Sequence, residues 1–503
     1  MQTALESTSS LSGRIAGLVH SHFDGLPARS KPTVRPDGTR EWIPMCGIVV
    51  VKGEGTPSEE LDCVVLTSGA KCLSASQVSS SKGLVLHDWH AEILALRAFN
   101  YWLLTECRGF LAEETRQDEK NEPRSRYIRR RRGHGDSSPT PPLELHEDLK
   151  IYMYCTCAPC GDASMELCMA AQEDPTPWEV PTVATADADD ELLDGRGHFS
   201  RLGIVRRKPA RADAEATRSK SCSDKLALRQ VSSLLSFESS LFVATTENAY
   251  LEGVIMPAGE ISRVGCERCF GGDGRMGELK GRVWSGLDSV GDEEEEGGRR
   301  YGWRFRPFKI LSIPMGHFES LWPFGKSEPT ASLEGQDASV PKKSKPAVIS
   351  AVWTSASSTS LSHSVVDSGA RSLPQLYGSR TGLYETIVNG VKQGNRASEP
   401  LARGASRLSR AQLWGLSKEI VRSCTESRDQ GKQLEVELRM LQQITEAQTY
   451  QEFKKEPTVL TESLKARRSA IQDAKAVLSG WIPNPGDENW GLEVLVDPKK
   501  RKR

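Results

Sequence analysis

The sequence predicts an α/β fold on three observations. Two stretches pass from an extended run into a helical one, residues 83–86 into 93–104 and residues 149–155 into 163–171. Two short apolar runs, 48–51 and 64–67, read as strands with a Gly-containing turn between them. Helical periodicity then dominates the C-terminal part, at 409–423, 433–444 and 459–478. Ligands in such folds collect where strands end and helices begin, so the two strand-to-helix junctions are the first places to look for chemistry.

At 503 residues the chain can bury one large core or two ordinary ones. No run reaches the roughly 18 apolar residues of a membrane span. The N-terminus shows no basic-then-apolar leader, and the expected setting is intracellular, in nucleus or cytoplasm, with no membrane partner. The 12 Cys are irregularly spaced in a long chain, which reads as thiols or metal ligands and not as a disulfide framework. Lys plus Arg is 66 and Asp plus Glu is 67, leaving a net charge of -1. That balance gives no global attraction to nucleic acid. An RNA-binding surface would have to be a local basic patch offset by acidic segments elsewhere.

Taken in order, residues 11–23 read as an amphipathic helix through Leu11, Ile15, Leu18, Val19 and Phe23, before Pro27, Pro32 and Pro36 interrupt. The strand pair follows, then a loop Ser68-Gly69-Ala70-Lys71-Cys72, then a helix with Ile93, Leu96, Arg97 and Tyr101 at helical spacing. Residues from about 109 to 147 turn charged, then densely basic from Arg124 to Arg132, then Ser/Pro-rich. They read as a solvated insertion, whose Arg cluster is a disordered loop, a phosphate contact or an import signal. Residues 172–220, 286–299 and 323–346 read as further polar, disordered insertions. Between them, 232–257 reads as mixed helix and strand, and 347–353 returns to folded chain. Residues 381–391 read as helix, like the rest of the C-terminal part. The whole is one expected domain over 11–498, with a basic tail at 499–503 and no repeat at the usual periods.

The chemistry centres on His87-Asp88-Trp89-His90-Ala91-Glu92, which opens the first of these long helices. An imidazole there can hold a metal while a carboxylate two residues on reaches the metal's water. In nucleic-acid deaminases that carboxylate is not a zinc ligand; it moves the proton, in the pattern H-x-E followed by P-C. Pro159-Cys160 supplies the second half, and Cys222 opens a third helix. His90, Cys160 and Cys222 make a three-ligand set that leaves a fourth zinc position for water, and helix N-termini favour the thiolates zinc needs. Alone, H-x-E is a weak signal, and His90 serves equally well as a helix-cap residue. A rival also stands in the sequence. Cys157-x-x-Cys160 and Cys266-x-x-Cys269 could build a closed four-Cys structural site, in which Glu92 would have no use. With the rival set aside, Cys155, Cys157 and Cys168 read as buried small apolar residues.

At these residues the chain resembles the adenosine deaminase domain shared by the editing deaminases of double-stranded RNA and the tRNA deaminase that converts adenosine 37 to inosine. The resemblance rests on Ser68 to Cys72, His90-Ala91-Glu92, Pro159-Cys160-Gly161-Asp162 and Ser221-Cys222-Ser223-Asp224-Lys225. It continues in Ala351-Val352-Trp353-Thr354, Asn389-Gly390-Val391-Lys392-Gln393-Gly394 and Ser406-Arg407-Leu408. The tRNA branch fits better, and fungal members best, through the Asn389 stretch, Leu226-Ala227-Leu228 and Trp481-Ile482-Pro483-Asn484-Pro485. No segment ahead of the domain is long enough for a double-stranded-RNA-binding domain.

The resemblance implies a cytidine-deaminase-like core, a β-sheet flanked by helices, extended by a mainly helical C-terminal half. It implies zinc on His90, Cys160 and Cys222, with Glu92 as proton shuttle. It also implies an inositol hexakisphosphate buried in the C-terminal half, where a polyanion needs many cationic donors. The matching positions are Arg97, Lys225, Ser233, Arg410, Tyr450, Lys454 and Trp481, with Lys465 if one residue is inserted after it. Two departures mark the shell. Leu96 and Leu228 stand where the double-stranded-RNA editors carry Arg, and Arg229 stands where they carry Trp. Asp88 either links His90's neighbourhood to Lys225 or caps the helix. Lys71 is a candidate contact to substrate phosphate.

The expected function is zinc-dependent hydrolytic deamination of adenosine to inosine in tRNA, at adenosine 37 beside the anticodon, of tRNA-Ala type. An anticodon stem-loop presents unstacked bases, so extruding one costs less than in a duplex. DNA is not an expected partner. The alternatives are a double-stranded-RNA editing enzyme and an inactive RNA-binding scaffold with a structural zinc.

Overall fold

A computed structural model describes residues 10–33, 40–114, 125–131, 141–171, 193–194, 201–208, 215–285, 301–326, 345–358, 382–425, 432–455, 457 and 459–496. Its centre is an eight-stranded mixed sheet. In chain order the strands are β1 (Met45–Lys52), β2 (Glu60–Ser68), β3 (Leu149–Cys155), β4 (Leu251–Pro257), β5 (Lys309–Ile313), β6 (Ser350–Thr354), β7 (Tyr384–Val388) and β8 (Val391–Lys392). Their spatial order is β5-β4-β3-β1-β2-β6-β7-β8. The pairings of β5 with β4 and of β4 with β3 are parallel. The rest are antiparallel.

Both faces are covered, and strand alternation shows how. In β1, Cys46, Ile48 and Val50 enter one core while Met45, Val49 and Val51 enter the other. In β3, Ile151, Met153 and Cys155 face the first core and Tyr152 and Tyr154 the second. Helix α1 (Leu11–Asp24) lies on the second face. It comes so close to β1 that a Cβ on Gly47 would meet Val19 at 2.6 Å.

On the first face lies α2 (Ala91–Glu114), 24 residues and about 36 Å long. It is buried on nearly all sides, between β1, β2 and β6 and the C-terminal helices. The remaining helices are α3 (Met165–Ala170), α4 (Cys222–Ser232), α5 (Arg263–Phe270), α6 (Met315–Leu321), α7 (Arg410–Thr425), α8 (Lys432–Thr445), α9 (Tyr450–Lys454) and α10 (Glu462–Val477). No described helix is long and apolar enough to cross a membrane.

Three expectations need correction. The helix expected over 381–391 is instead a hairpin over 384–392: Asn389 and Gly390 both take positive φ, 52° and 78°, and close β7 onto β8. Asn-Gly is the pair that a two-residue hairpin turn selects, and the β-branched Thr386, Ile387 and Val388 suit a strand. Residues 83–86 are not extended but lie in a turn region, tied down by Leu84 N to Ser81 O at 2.9 Å. Finally, the polar insertions are partly folded. Helix α2 runs on to Glu114, and Ile128–Arg130 pairs with Leu143–Leu145 with Ile128, Leu143 and Leu145 fully buried. Val205, Arg206, Lys208, Thr217 and Lys220 are likewise buried. Polar residues go inside here because each finds a partner, as Thr217 Oγ1 does on Lys208 O at 2.6 Å. Residues 286–299, most of 323–346 and the tail at 499–503 lie outside the described residues.

Candidate active site

Register brings the parts together. Met45 pairs with Ser68 and Cys46 with Cys155, so β2 and β3 end on either side of the start of β1. The loop after β2 carries Lys71, and the loop after β3 carries Cys160. The His87–His90 segment is stitched to the first loop by Trp89 N to Lys71 O at 3.0 Å and Ala91 N to Gly69 O at 2.9 Å. Asp88 Oδ1 accepts from His90 N at 3.1 Å. Asp88 thus braces the backbone of His90 ahead of α2 and links it to Lys225, whose ammonium donates to Oδ2.

Cys160 is fixed from the α4 side. Ser221 caps α4 by accepting from Asp224 N at 3.1 Å. Ser223 N and Ser223 Oγ both donate to Cys160 O at 3.0 Å. The next residue, Gly161, sits at φ 106°, where a Cβ would stand 2.2 Å from Ser221 Oγ. Only glycine lets the loop and α4 approach so closely.

The result is a compact donor set. One ligand atom each from His90, Cys160 and Cys222 lie within 4.8 Å of one another, and theirs is the cluster with metal-binding geometry among the described residues. His90 Nδ1 and Cys160 Sγ are 3.9 Å apart, and Cys222 N donates to Cys160 Sγ at 3.4 Å. One imidazole and two thiols suit zinc. The Cys160 thiol is held well below its ordinary value, first by its hydrogen bond with Cys222 and then by Lys208 and His90. Burial pushes the Cys222 thiol up. A bound cation would take both as thiolates.

Glu92 lies in the first turn of α2, 4% exposed, with Oε2 buried and unpartnered. Burial raises its carboxyl above the ordinary range, and His90 only partly offsets this. A buried carboxylate with an open oxygen beside a donor set is poised to accept and return a proton.

Sequence reasoning missed Lys208. Its ammonium donates to Asp88 Oδ1 at 3.1 Å, to Asp88 Oδ2 at 2.8 Å and to Cys222 Sγ at 3.3 Å. It lies in a stretch read as an insertion, and no motif marks it. Burial would lower its pKa, but Asp88, Cys160 and Cys222 outweigh this and keep it charged. Burial would likewise raise Asp88, but Lys208, Lys225 and His90 outweigh it and hold the carboxyl well below its ordinary range.

The four-Cys rival does not assemble. Cys269 Sγ turns to Asp162 Oδ2 at 3.1 Å, and that same oxygen accepts from Arg268 Nε at 3.0 Å. Cys157 is half-buried near Glu260, which accepts from Ala158 N at 2.9 Å.

A second feature is a cavity of about 790 Å³ enclosed by α2, α7, α9, α10 and the 481–488 segment. Of the positions matched by resemblance, Arg97, Arg410, Tyr450, Lys454 and Trp481 line it. Lys225, Ser233 and Lys465 do not. Lys225 is turned to Asp88, and Ser233 is fully buried with Oγ accepting from Leu235 N at 3.2 Å. Lys465 is half exposed and pairs with Glu462 at 2.6 Å. On α10 the lining comes from Leu464, Arg467, Arg468, Ile471 and Lys475 among others, while Lys465 turns to Glu462 on the same helix. In its place Lys455, Arg467, Arg468 and Lys475 add cations. The lining then holds seven Lys or Arg (97, 410, 454, 455, 467, 468, 475) against two acids (487, 488). So large a cationic excess fits a polyanion.

The adenosine-deaminase (editase) domain model matches residues 65–269. The chain is similar to the tRNA-specific adenosine deaminase 1 of Schizosaccharomyces pombe, 29% identical over 96% of this chain and 98% of that relative. It is 31% identical to the protein of the same name from Saccharomyces cerevisiae, over 46% of this chain and 55% of the relative. Against the double-stranded RNA-specific editase B2 of Rattus norvegicus it is 30% identical, over 45% of this chain and 29% of the relative. His90, Glu92, Cys160 and Cys222 all fall within the matched span, so the chain carries an adenosine-deaminase (editase) domain and is a deaminase.

Proposed function

We propose that this protein deaminates adenosine to inosine in tRNA, at adenosine 37 beside the anticodon, in tRNA of the alanine type. The observation that carries the reading is the His90, Cys160 and Cys222 cluster within 4.8 Å, with the open oxygen of Glu92 buried beside it. The near full-length similarity to a tRNA-specific deaminase supports tRNA as substrate.

His90, Cys160 and Cys222 would hold zinc, which when bound supplies a Lewis acid that acidifies water. Glu92 takes a proton from the attacking water and hands it to adenine N1, then takes the proton of the new C6 hydroxyl and gives it to the amino group, which leaves as ammonia. The exchange balances: water adds at C6, ammonia leaves, and inosine remains. Lys208 and Asp88 orient Cys222 and His90 from behind. Lys71, on the loop beside Asp88, would meet a substrate phosphate. The anticodon stem-loop is the partner, because its bases can be extruded cheaply.

The basic cavity would hold inositol hexakisphosphate. Arg97, Arg410, Tyr450, Lys454 and Trp481, joined by Arg467, Arg468 and Lys475, supply donors and apolar filling. The experiment that tests the catalytic reading is incubation with total tRNA, with a double-stranded RNA in parallel, and sequencing for inosine. Inosine at position 37 of tRNA is expected. Inosine only in the duplex would transfer the reading to the editing enzymes.

A further inference from the structure

Each cysteine of the donor set is followed two positions later by an aspartate, Asp162 after Cys160 and Asp224 after Cys222. Both aspartates are fully buried, and neither belongs to the donor cluster. Each is turned instead to an arginine. Arg268 Nε donates to Asp162 Oδ2 at 3.0 Å, and its Nη2 donates to Asp162 O at 2.8 Å. Arg275 Nη1 donates to Asp224 Oδ1 at 2.7 Å. The remaining carboxylate oxygens are also used. Asp162 Oδ1 accepts from Gly203 N at 2.8 Å, and Asp224 Oδ2 accepts from Ser221 Oγ at 2.6 Å.

The two arginines act from one short stretch of chain. Arg268 lies in the last turn of α5, and the chain then folds back so that Arg275 N donates to Arg268 O at 2.8 Å. Gly274 permits the fold-back, since a Cβ there would stand 2.5 Å from Arg268 O. Helix α5 is itself seated on the Cys160 side. A Cβ on Gly265 would meet Ala163 O at 2.5 Å, and Arg268 Nη1 pairs with Glu166 at 2.6 Å. Residues 265–275 therefore grip both cysteine segments. The Arg275 side chain is 5% exposed, so its pair with Asp224 is shielded from water.

Such a grip has a use. Cys160 and Cys222 are 62 residues apart, one on the loop after β3 and the other at the start of α4, so no strand pairing sets the distance between their sulfurs. Zinc–sulfur bonds of about 2.3 Å, kept to within about 0.2 Å, tolerate little error in that distance.

We propose that Arg268 and Arg275 are positioning residues for the deamination, which act through Asp162 and Asp224 to hold Cys160 and Cys222 at the separation a metal ion requires. The proposal rests on the reading of the donor set as a zinc site. Neither arginine touches the metal position; each acts through its aspartate.

The test uses the full chain and two variants. Removing one partner of a buried pair can prevent folding, so Arg275→Met is combined with Asp224→Asn, which removes both charges. Arg268→Lys keeps its charge, but one ammonium cannot reproduce the three contacts of the guanidinium. The matching control is Arg129→Met with Glu144→Gln, which removes a buried ion pair away from the donor set. Zinc affinity is measured by competition with a chelator, the visible spectrum is recorded on the cobalt-substituted proteins, and thermal unfolding is followed separately. Both test variants should bind zinc about 10–100-fold more weakly than wild type, with shifted cobalt bands. The control should unfold at a lower temperature and keep wild-type affinity and bands. Wild-type zinc affinity and cobalt spectrum in the two test variants, whatever their stability, would overturn the proposal and leave the zinc reading intact. A wild type that binds neither zinc nor cobalt would overturn the zinc reading and the proposal with it.

Discussion

Lys208 and Asp88 lie 120 residues apart and form a buried ion pair, with Nζ 2.8 Å from Oδ2 and 3.1 Å from Oδ1. The same ammonium reaches Cys222 Sγ at 3.3 Å, and the same carboxylate accepts from His90 N at 3.1 Å. One pair therefore orients two of the three proposed metal ligands. Lys208→Met should leave Asp88 with Lys225 as its one remaining ammonium partner and Cys222 without this donor. Losing such a supporting partner weakens a metal site by about 10–100-fold. Competition with a zinc chelator should show that loss, and Lys208→Arg should recover part of it. Equal zinc affinity in wild type and Lys208→Met would show that the pair orients nothing.

The cysteines offer a sharper contrast. Cys160→Ala and Cys222→Ala remove donors from the cluster within 4.8 Å, whereas Cys266→Ala and Cys269→Ala act elsewhere. Metal analysis should find about one zinc per chain in wild type and in the last two variants, and much less in the first two. Loss of zinc from Cys269→Ala with retention in Cys222→Ala would restore the four-Cys site.

The donor set was legible because motif residues fix their own surroundings. Ser221 caps α4, Gly161 permits the close approach, and Cys160 and Cys222 follow at fixed offsets. The strands β1 and β2 were legible as short apolar runs, and β3 from alternation. Lys208 was not, because a buried lysine is recognised by its partners, and those come from distant parts of the chain. The β7–β8 hairpin was missed when Asn389-Gly390 was read within a helical run, although that dipeptide is a turn signal. Lys465 was matched to the cavity by resemblance, whereas the structure turns it to Glu462 and lines the cavity with Arg467 and Arg468.

Glu238 ties stability to pH. Burial pushes its carboxyl up, but Lys454, hydrogen bonds and Arg97 outweigh this and hold it at about 2, below the ordinary 4.5. A carboxyl lowered by folding stabilises the fold above its unfolded pKa and loses that contribution as pH falls through the folded one. Wild type should therefore exceed Glu238→Gln in stability at neutral pH. Urea unfolding from pH 5 downwards should show the gap closing from about pH 4.5 towards pH 2. A gap that is constant or widens over that range would mean the ion pairing is absent.

The central claim is that Glu92 moves the proton without holding the metal. Its most direct test is the rate of inosine formation in tRNA by wild type and Glu92→Ala, with zinc content measured on the same preparations. Glu92→Ala should keep its zinc and its tRNA affinity and lose roughly 10²–10⁴ in rate, the usual share of a general acid–base group. His90→Ala, two residues away, should lose zinc as well, which separates proton transfer from damage to α2. Near wild-type inosine formation by Glu92→Ala would contradict the account.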